Sequence, residues 1–108
     1  MTALTRDFRE TILERAQSDA AFRIELLRQG VEALLRGDVE EGKSVLRDYI
    51  NATIGFIELG ERTGRSSKSL MRMFSNRGNP HMRHLFQIMK ILQEWEGIRL
   101  EVMASSAA

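Results

Sequence analysis

Hydrophobic residues recur at helical spacing along most of this chain and change to strict alternation only near its end. Phe8, Ile12, Leu13 and Ala16 fall at i, i+4, i+5 and i+8, which predicts one buried face of a first helix over residues 6–17, with Asp7 and Glu10 spaced as a capping box. Ser18-Asp19 restarts the pattern through Phe22, Leu26, Leu27, Val31, Leu34 and Leu35. Arg36 then falls in the last turn, and Gly37 stands where a helix needs a left-handed residue to stop. Asp38 and Glu41 repeat the capping-box spacing ahead of a third helix, whose stripe is Leu46, Tyr49, Ile50 and Thr53 and which ends near Ile54-Gly55.

From Gly55 the rhythm shortens. Phe56 to Thr63 makes about two helical turns stopped by Gly64. Ser66 then caps a new helix through Leu70, Met73 and Phe74, of which Leu70 and Phe74, four apart, face inward. After the polar loop Asn76-Arg77-Gly78-Asn79, Pro80 suits the first position of a last helix capped by Asn79. That helix carries Leu85, Ile88, Met89 and Leu92 and ends around Trp95-Glu96-Gly97.

Beyond it, Ile98, Leu100 and Val102 alternate with Arg99 and Glu101, which predicts a short strand. A lone strand cannot satisfy its own backbone, so it pairs most economically with its copy in a second subunit, making Ile98, Leu100 and Val102 candidate dimer contacts. The expected fold is all-α: a compact domain of about six helices closed by that strand. Residues 1–54 form a helical hairpin plus third helix, 55–96 two short helices and the last helix, 97–103 the strand, and 104–108 a frayed tail.

Charge changes this picture from a generic bundle to one with a face. Between Arg62 and Gln93 stand seven lysines and arginines (Arg62, Arg65, Lys68, Arg72, Arg77, Arg83 and Lys90) and no aspartate or glutamate, although the whole chain carries only +1. A positive face of that kind attracts the phosphate backbone of nucleic acid by counterion release. The first half mixes both signs on its outer faces, as ordinary solvated surface does. With no cysteine, disulfides, thiolate metal sites and cysteine nucleophiles are excluded. There is no long apolar run, and Arg6, Asp7, Arg9 and Glu10 stand where a signal peptide would be apolar; the expectation is a cytoplasmic protein with no membrane contact.

Two short helices joined by a glycine turn form the helix-turn-helix pattern. Phe56 to Leu92 resembles the helix-turn-helix of phage-repressor (Xre-type) regulators. Glu61-Arg62-Thr63-Gly64, Ser67-Lys68-Ser69-Leu70, Gly78-Asn79-Pro80, Leu85 and the closing Ile98-Arg99-Leu100-Glu101-Val102 together resemble HigA-type addiction-module antidotes, which are antitoxins and autorepressors paired with small RelE/ParE-like toxins. The likeness covers roughly the second half of the chain.

It implies a sequence-specific double-stranded DNA-binding regulator, homodimeric on a palindromic operator, with the second helix of the pair in the major groove. By that likeness Ser66, Ser67, Lys68 and Arg72 contact bases, Arg72 because its planar donor fork fits guanine O6 and N7. Arg65, Ser69, Asn76, Arg77 and Asn79 hold backbone phosphates, helped by free amides at the helix start by Pro80. Two positions depart from the family: Phe56 stands where many such repressors have a glutamine, and Arg65 occupies a turn position that is usually apolar, so its stem packs while its head reaches out or the turn opens.

A different class of function remains beside this one: a protein-binding module that occludes a basic RelE/ParE-like toxin with its acidic first half, DNA binding being secondary. RNA binding is disfavoured because, with Phe74 and Phe86 expected in the core, the basic stretch offers no aromatic platform. His81 and His84, three apart, share a helix face but have no acid or cysteine neighbour to complete a metal site, so no metal or cofactor is expected. No nucleophile elbow, phosphate loop or dinucleotide fingerprint appears, so an enzyme is not expected. Met71, Met73 and Met82 read as core filler.

Overall fold

The computed structural model describes residues 6–107. Six helices follow in order: α1 (Arg6–Ser18), α2 (Ala20–Leu35), α3 (Val39–Ala52), α4 (Gly55–Thr63), α5 (Ser67–Met73) and α6 (Met82–Glu96). The chain is all-helical among the described residues, as the periodicity predicts.

The helix ends show which local signals governed. Asp19 caps α2, its side chain accepting the Phe22 N–H at 3.2 Å, and Ser66 caps α5, accepting the Ser69 N–H at 3.1 Å. Gly64 closes α4 at φ 73°, a left-handed conformation that favours glycine. Three expected starts differ. Asp7 lies inside the first turn of α1, which begins by Arg6, so Asp7 is not the cap. Asp38 is the N-cap residue of α3 but makes no capping bond, because its carboxylate is taken by the Arg36 guanidinium at 3.2 Å. The last helix starts at Met82 rather than Pro80, because the His81 imidazole Nδ1 accepts the Arg83 N–H at 3.2 Å and supplies the cap expected of Asn79.

The core joins α2 to α6 around Leu27, Leu46, Tyr49, Ile50, Ile54, Phe56, Leu59, Leu70, Phe74, Ile88 and Leu92, and Ala16 of α1 is buried where that helix meets α2 and α3. Phe56 and Phe74 tie α4 to the end of α5, ring centroids 6.2 Å apart and tilted at 58°. Beneath them, Glu96 at the end of α6 accepts the Tyr49 hydroxyl at 2.7 Å and pairs with Arg23 at 3.2 Å, and Arg23 also donates to the Ala16 carbonyl at 2.7 Å. The Glu96 side chain is only 5% exposed, so this network fastens α1, α2, α3 and α6 from inside.

Several expected core residues are on the surface: Phe8, Leu35, Met71, Met82 at 71% exposure and Phe86 at 57%. Phe86 stands two residues before buried Ile88, about 200° around the helix, so the face that buries Ile88 turns Phe86 outward. Met73 alone of the three methionines near α5 packs against the core.

Residues 98–107 have no regular secondary structure, so the expected C-terminal strand is not present in the single chain, which offers it no pairing edge. Ile98 and Leu100, expected at a dimer interface, lie half-buried against their own core, and the Leu100 N–H donates to the Gln93 side chain at 2.8 Å. Val102 is exposed, as are residues 103–107; Ala108 lies outside the described residues. Among the described residues no helix is long and apolar enough to cross a membrane.

Candidate nucleic-acid interface

The turn between α4 and α5 is three residues long. Its geometry is fixed by the Arg65 N–H donating to the Gly60 carbonyl at 3.0 Å and by the Ser66 cap one residue later. Arg65 is half-buried, with its Nε enclosed and without a hydrogen-bond partner among the described residues. Its stem therefore packs in the turn, one of the two arrangements its unusual position allowed. The cap commits the Ser66 oxygen as an acceptor and leaves its O–H free to donate.

Along α5, Lys68 and Arg72 are exposed, Ser67 and Ser69 half-buried, and Leu70 and Phe74 enclosed. Lys68 and Arg72 thus present their charges on the face opposite the one that anchors α5 to the core. The loop after α5 is a tight turn: the Gly78 N–H donates to the Ser75 carbonyl at 3.0 Å, leaving Asn76 and Arg77 at its centre, both exposed. It folds back onto α5 so closely that a Cβ on Gly78 would collide with the carbonyl oxygens of Arg72 and Met73. Asn79 is exposed just beyond. The structure therefore gathers Arg72, Asn76 and Arg77 around the C-terminal end of α5, while Ser66, Ser67 and Lys68 mark its start.

Charge pairing is denser in the first half of the chain, although Arg9 and Arg47 form no ion pair there among the described residues. Arg15, Arg28, Arg36 and Lys43 are held by Asp19, by Glu25 and Glu32, by Glu32, Asp38 and Glu41, and by Glu40 respectively. Arg62, the first cation of the acid-free stretch, is likewise neutralised by Glu58 at 2.8 Å and lies over the Trp95 ring. In contrast Lys68, Arg72, Arg77, Arg83 and Lys90 form no ion pair among the described residues. At the start of α6 the His81 and His84 rings lie 5.3 Å apart. Partial desolvation, then the charges of Arg65, His81 and Arg83, push the His84 imidazole below its ordinary value. His81 spends its Nδ1 on the helix cap.

One residue of this region escaped the sequence reading. Lys43, on the buried face of α3, is 3% exposed, and its ammonium donates to the carbonyls of Ser75 at 2.8 Å and Gly78 at 2.7 Å while pairing with Glu40 at 2.7 Å. All three ammonium protons have partners. The only signal in the chain was register: Lys43 sits three before Leu46 and seven before Ile50, on the apolar stripe. Elsewhere, a shallow groove between α1 and α3 is lined by Arg9, Ile12, Leu13, Asp48 and Asn51, where burial raises the Asp48 carboxyl against the opposing charges of Arg9 and Arg47.

The exposure of Phe86 removes one of the two supports for disfavouring RNA, since it opens a ring within the acid-free stretch to solvent, on the same helix as the partly exposed Trp95 ring. Comparison with known proteins finds no matching family model, no curated relative and no solved structure of significant similarity.

Proposed function

We propose that this protein is a sequence-specific double-stranded DNA-binding transcriptional regulator, working as a homodimer on a palindromic operator and serving as the antitoxin and autorepressor of a toxin–antitoxin module. In this reading α4, the turn and α5 form a helix-turn-helix of the phage-repressor kind, with α5 as the helix that enters the major groove. The observation that carries it is the set of cations on and around α5 that form no ion pair among the described residues, in a chain where Arg15, Arg23, Arg28, Arg36 and Lys43 of the first half are neutralised by neighbours. Unpaired, solvated cations release condensed counterions from duplex DNA at no cost in broken ion pairs.

Lys68 and Arg72, anchored from behind by Leu70 and Phe74, read base edges together with Ser66 and Ser67. Arg65, Ser69, Asn76, Arg77 and Asn79 hold phosphates. Two exposed rings on α6, Phe86 and Trp95, the latter already covered by the Arg62 guanidinium, make a poor stacking platform for single strands compared with several cations for a duplex. Dimerisation through Val102, with Ile98 and Leu100 contributing if the C-terminal segment pairs with its copy as a strand, sets two α5 helices about one duplex turn apart. A RelE/ParE-like toxin is the partner the antitoxin role requires, and the product of an adjacent reading frame should co-purify with this chain.

Two substitutions separate reading from holding. Arg72→Ala should weaken operator binding by roughly 1–3 kcal/mol and relax preference at one base pair, whereas Arg77→Ala should weaken all sequences about equally and lower the salt slope by about 1. If Arg72→Ala weakens operator and random duplex equally, α5 does not read sequence.

A further inference from the structure

We infer that Lys43, which lies in α3 outside the α4–α6 segment, is a positioning residue for the duplex-binding surface, its buried ammonium holding the turn that presents Asn76 and Arg77. The inference rests on the proposed DNA-binding function. It follows from where the donors go. The Ser75 carbonyl accepts twice, from the Gly78 N–H at 3.0 Å that closes the turn and from Lys43 Nζ at 2.8 Å, and the Gly78 carbonyl takes a second ammonium proton at 2.7 Å. One cation thus grips both ends of a four-residue turn whose two central side chains point to solvent. Glu40, on the same helix, takes the third proton.

A turn on the surface ordinarily moves on the nanosecond-to-microsecond scale, and a phosphate contact from a moving arginine is weakened by the cost of ordering it. Bonds to a charged donor are roughly twice as strong as neutral ones, and this donor is 3% exposed, so water competes poorly for the two carbonyls. The turn is also pressed on α5 at Gly78, where no side chain fits against the Arg72 and Met73 carbonyls. Lys43 therefore transmits the rigidity of α3 to Arg77 without approaching the DNA itself.

Lys43→Met keeps the length and apolar stem of the side chain and removes all three donors. Two readouts on the full chain test the inference, with folding followed by the fluorescence of the single tryptophan, Trp95. The first needs no DNA: native-state trypsin cleavage after Arg77, identified by fragment mass, should accelerate about tenfold, as expected when a local opening equilibrium shifts by roughly 1.4 kcal/mol. The second is duplex binding across a salt series, where Lys43→Met should lose affinity and its slope should fall by about 0.9, one phosphate contact. Arg77→Ala added to Lys43→Met should then cost little more, because the arginine is already mispositioned.

Unchanged cleavage after Arg77 overturns the inference whatever the DNA result. Faster cleavage with full additivity of the two substitutions overturns the positioning role, leaving Lys43 a structural residue only. Faster cleavage in a protein whose wild type ignores duplex DNA refutes the proposed function and the positioning role with it. If Lys43→Met does not fold, Lys43→Gln, which keeps a donor but not the charge, is run through the same assays with the same criteria.

Discussion

Tyr49→Phe removes one hydroxyl from the centre of the fold, and its effect follows from two contacts of Glu96. The hydroxyl donates to Glu96 Oε1 at 2.7 Å, and Glu96 retains Arg23 at 3.2 Å when that donor is lost. The carboxylate therefore stays paired, and the loss is that of one hydrogen bond to a charged acceptor, about 1.5–3 kcal/mol. For a chain of this size each kcal/mol lowers Tm by roughly 4–8 °C, so the variant should melt about 6–24 °C below the wild type. Burial first, and then the bond to Glu96, push the Tyr49 phenol above its ordinary value. A group whose folded value is raised stabilises fully below its unfolded value, about 10, and loses that contribution as pH climbs toward the folded value.

The gap between wild type and Tyr49→Phe should therefore stay constant to about pH 10 and shrink above it, by up to roughly 1.4 kcal/mol per pH unit. Trp95 fluorescence reports the melts, and because Tyr49 is the only tyrosine, the phenolate absorption band reports its ionisation without overlap. A phenolate that appears near pH 10 in a protein still folded would refute the reasoning. So would a stability gap unaffected by alkali.

Two further substitutions test the packing. Gly78→Ala places a Cβ against the Arg72 and Met73 carbonyl oxygens, so the turn must move at a cost of roughly 1–3 kcal/mol; an unshifted thermal melt would show that the turn is not pressed on α5. Phe86→Ala should change stability by less than about 0.5 kcal/mol while Phe74→Ala costs about 3–5 kcal/mol, a contrast that urea unfolding resolves and that would vanish if both rings were buried.

The sequence carried the helices and their stops well, because those signals are local. Gly64 and Gly97 end α4 and α6 in the left-handed conformation, and Asp19 and Ser66 cap with bonds that need only a neighbour three residues on. Local signals failed where a second partner competed: Asp38 went to Arg36, and the His81 imidazole displaced the Asn79-Pro80 start. Apolar residues just off the stripe turn outward rather than into the core, since composition near α5 and α6 does not say which way Met71, Met82 and Phe86 turn. Alternation at Ile98 and Leu100 describes any extended segment with one face on a core, so it could not separate a strand from a tail packed on α6. Lys43 was hidden because its partners are backbone carbonyls more than thirty residues away, which no side-chain pattern records.

The proposed duplex binding depends on the cations of α5 and its flanks that form no ion pair among the described residues. Fluorescence anisotropy of a labelled duplex from the region upstream of the gene, titrated with the full chain from low to physiological salt, measures that directly. The expected result is binding whose log affinity falls linearly with log salt at a slope near −4, the value for about four to five neutralised phosphates. Absence of binding at low salt, or binding that salt leaves unchanged, would contradict it.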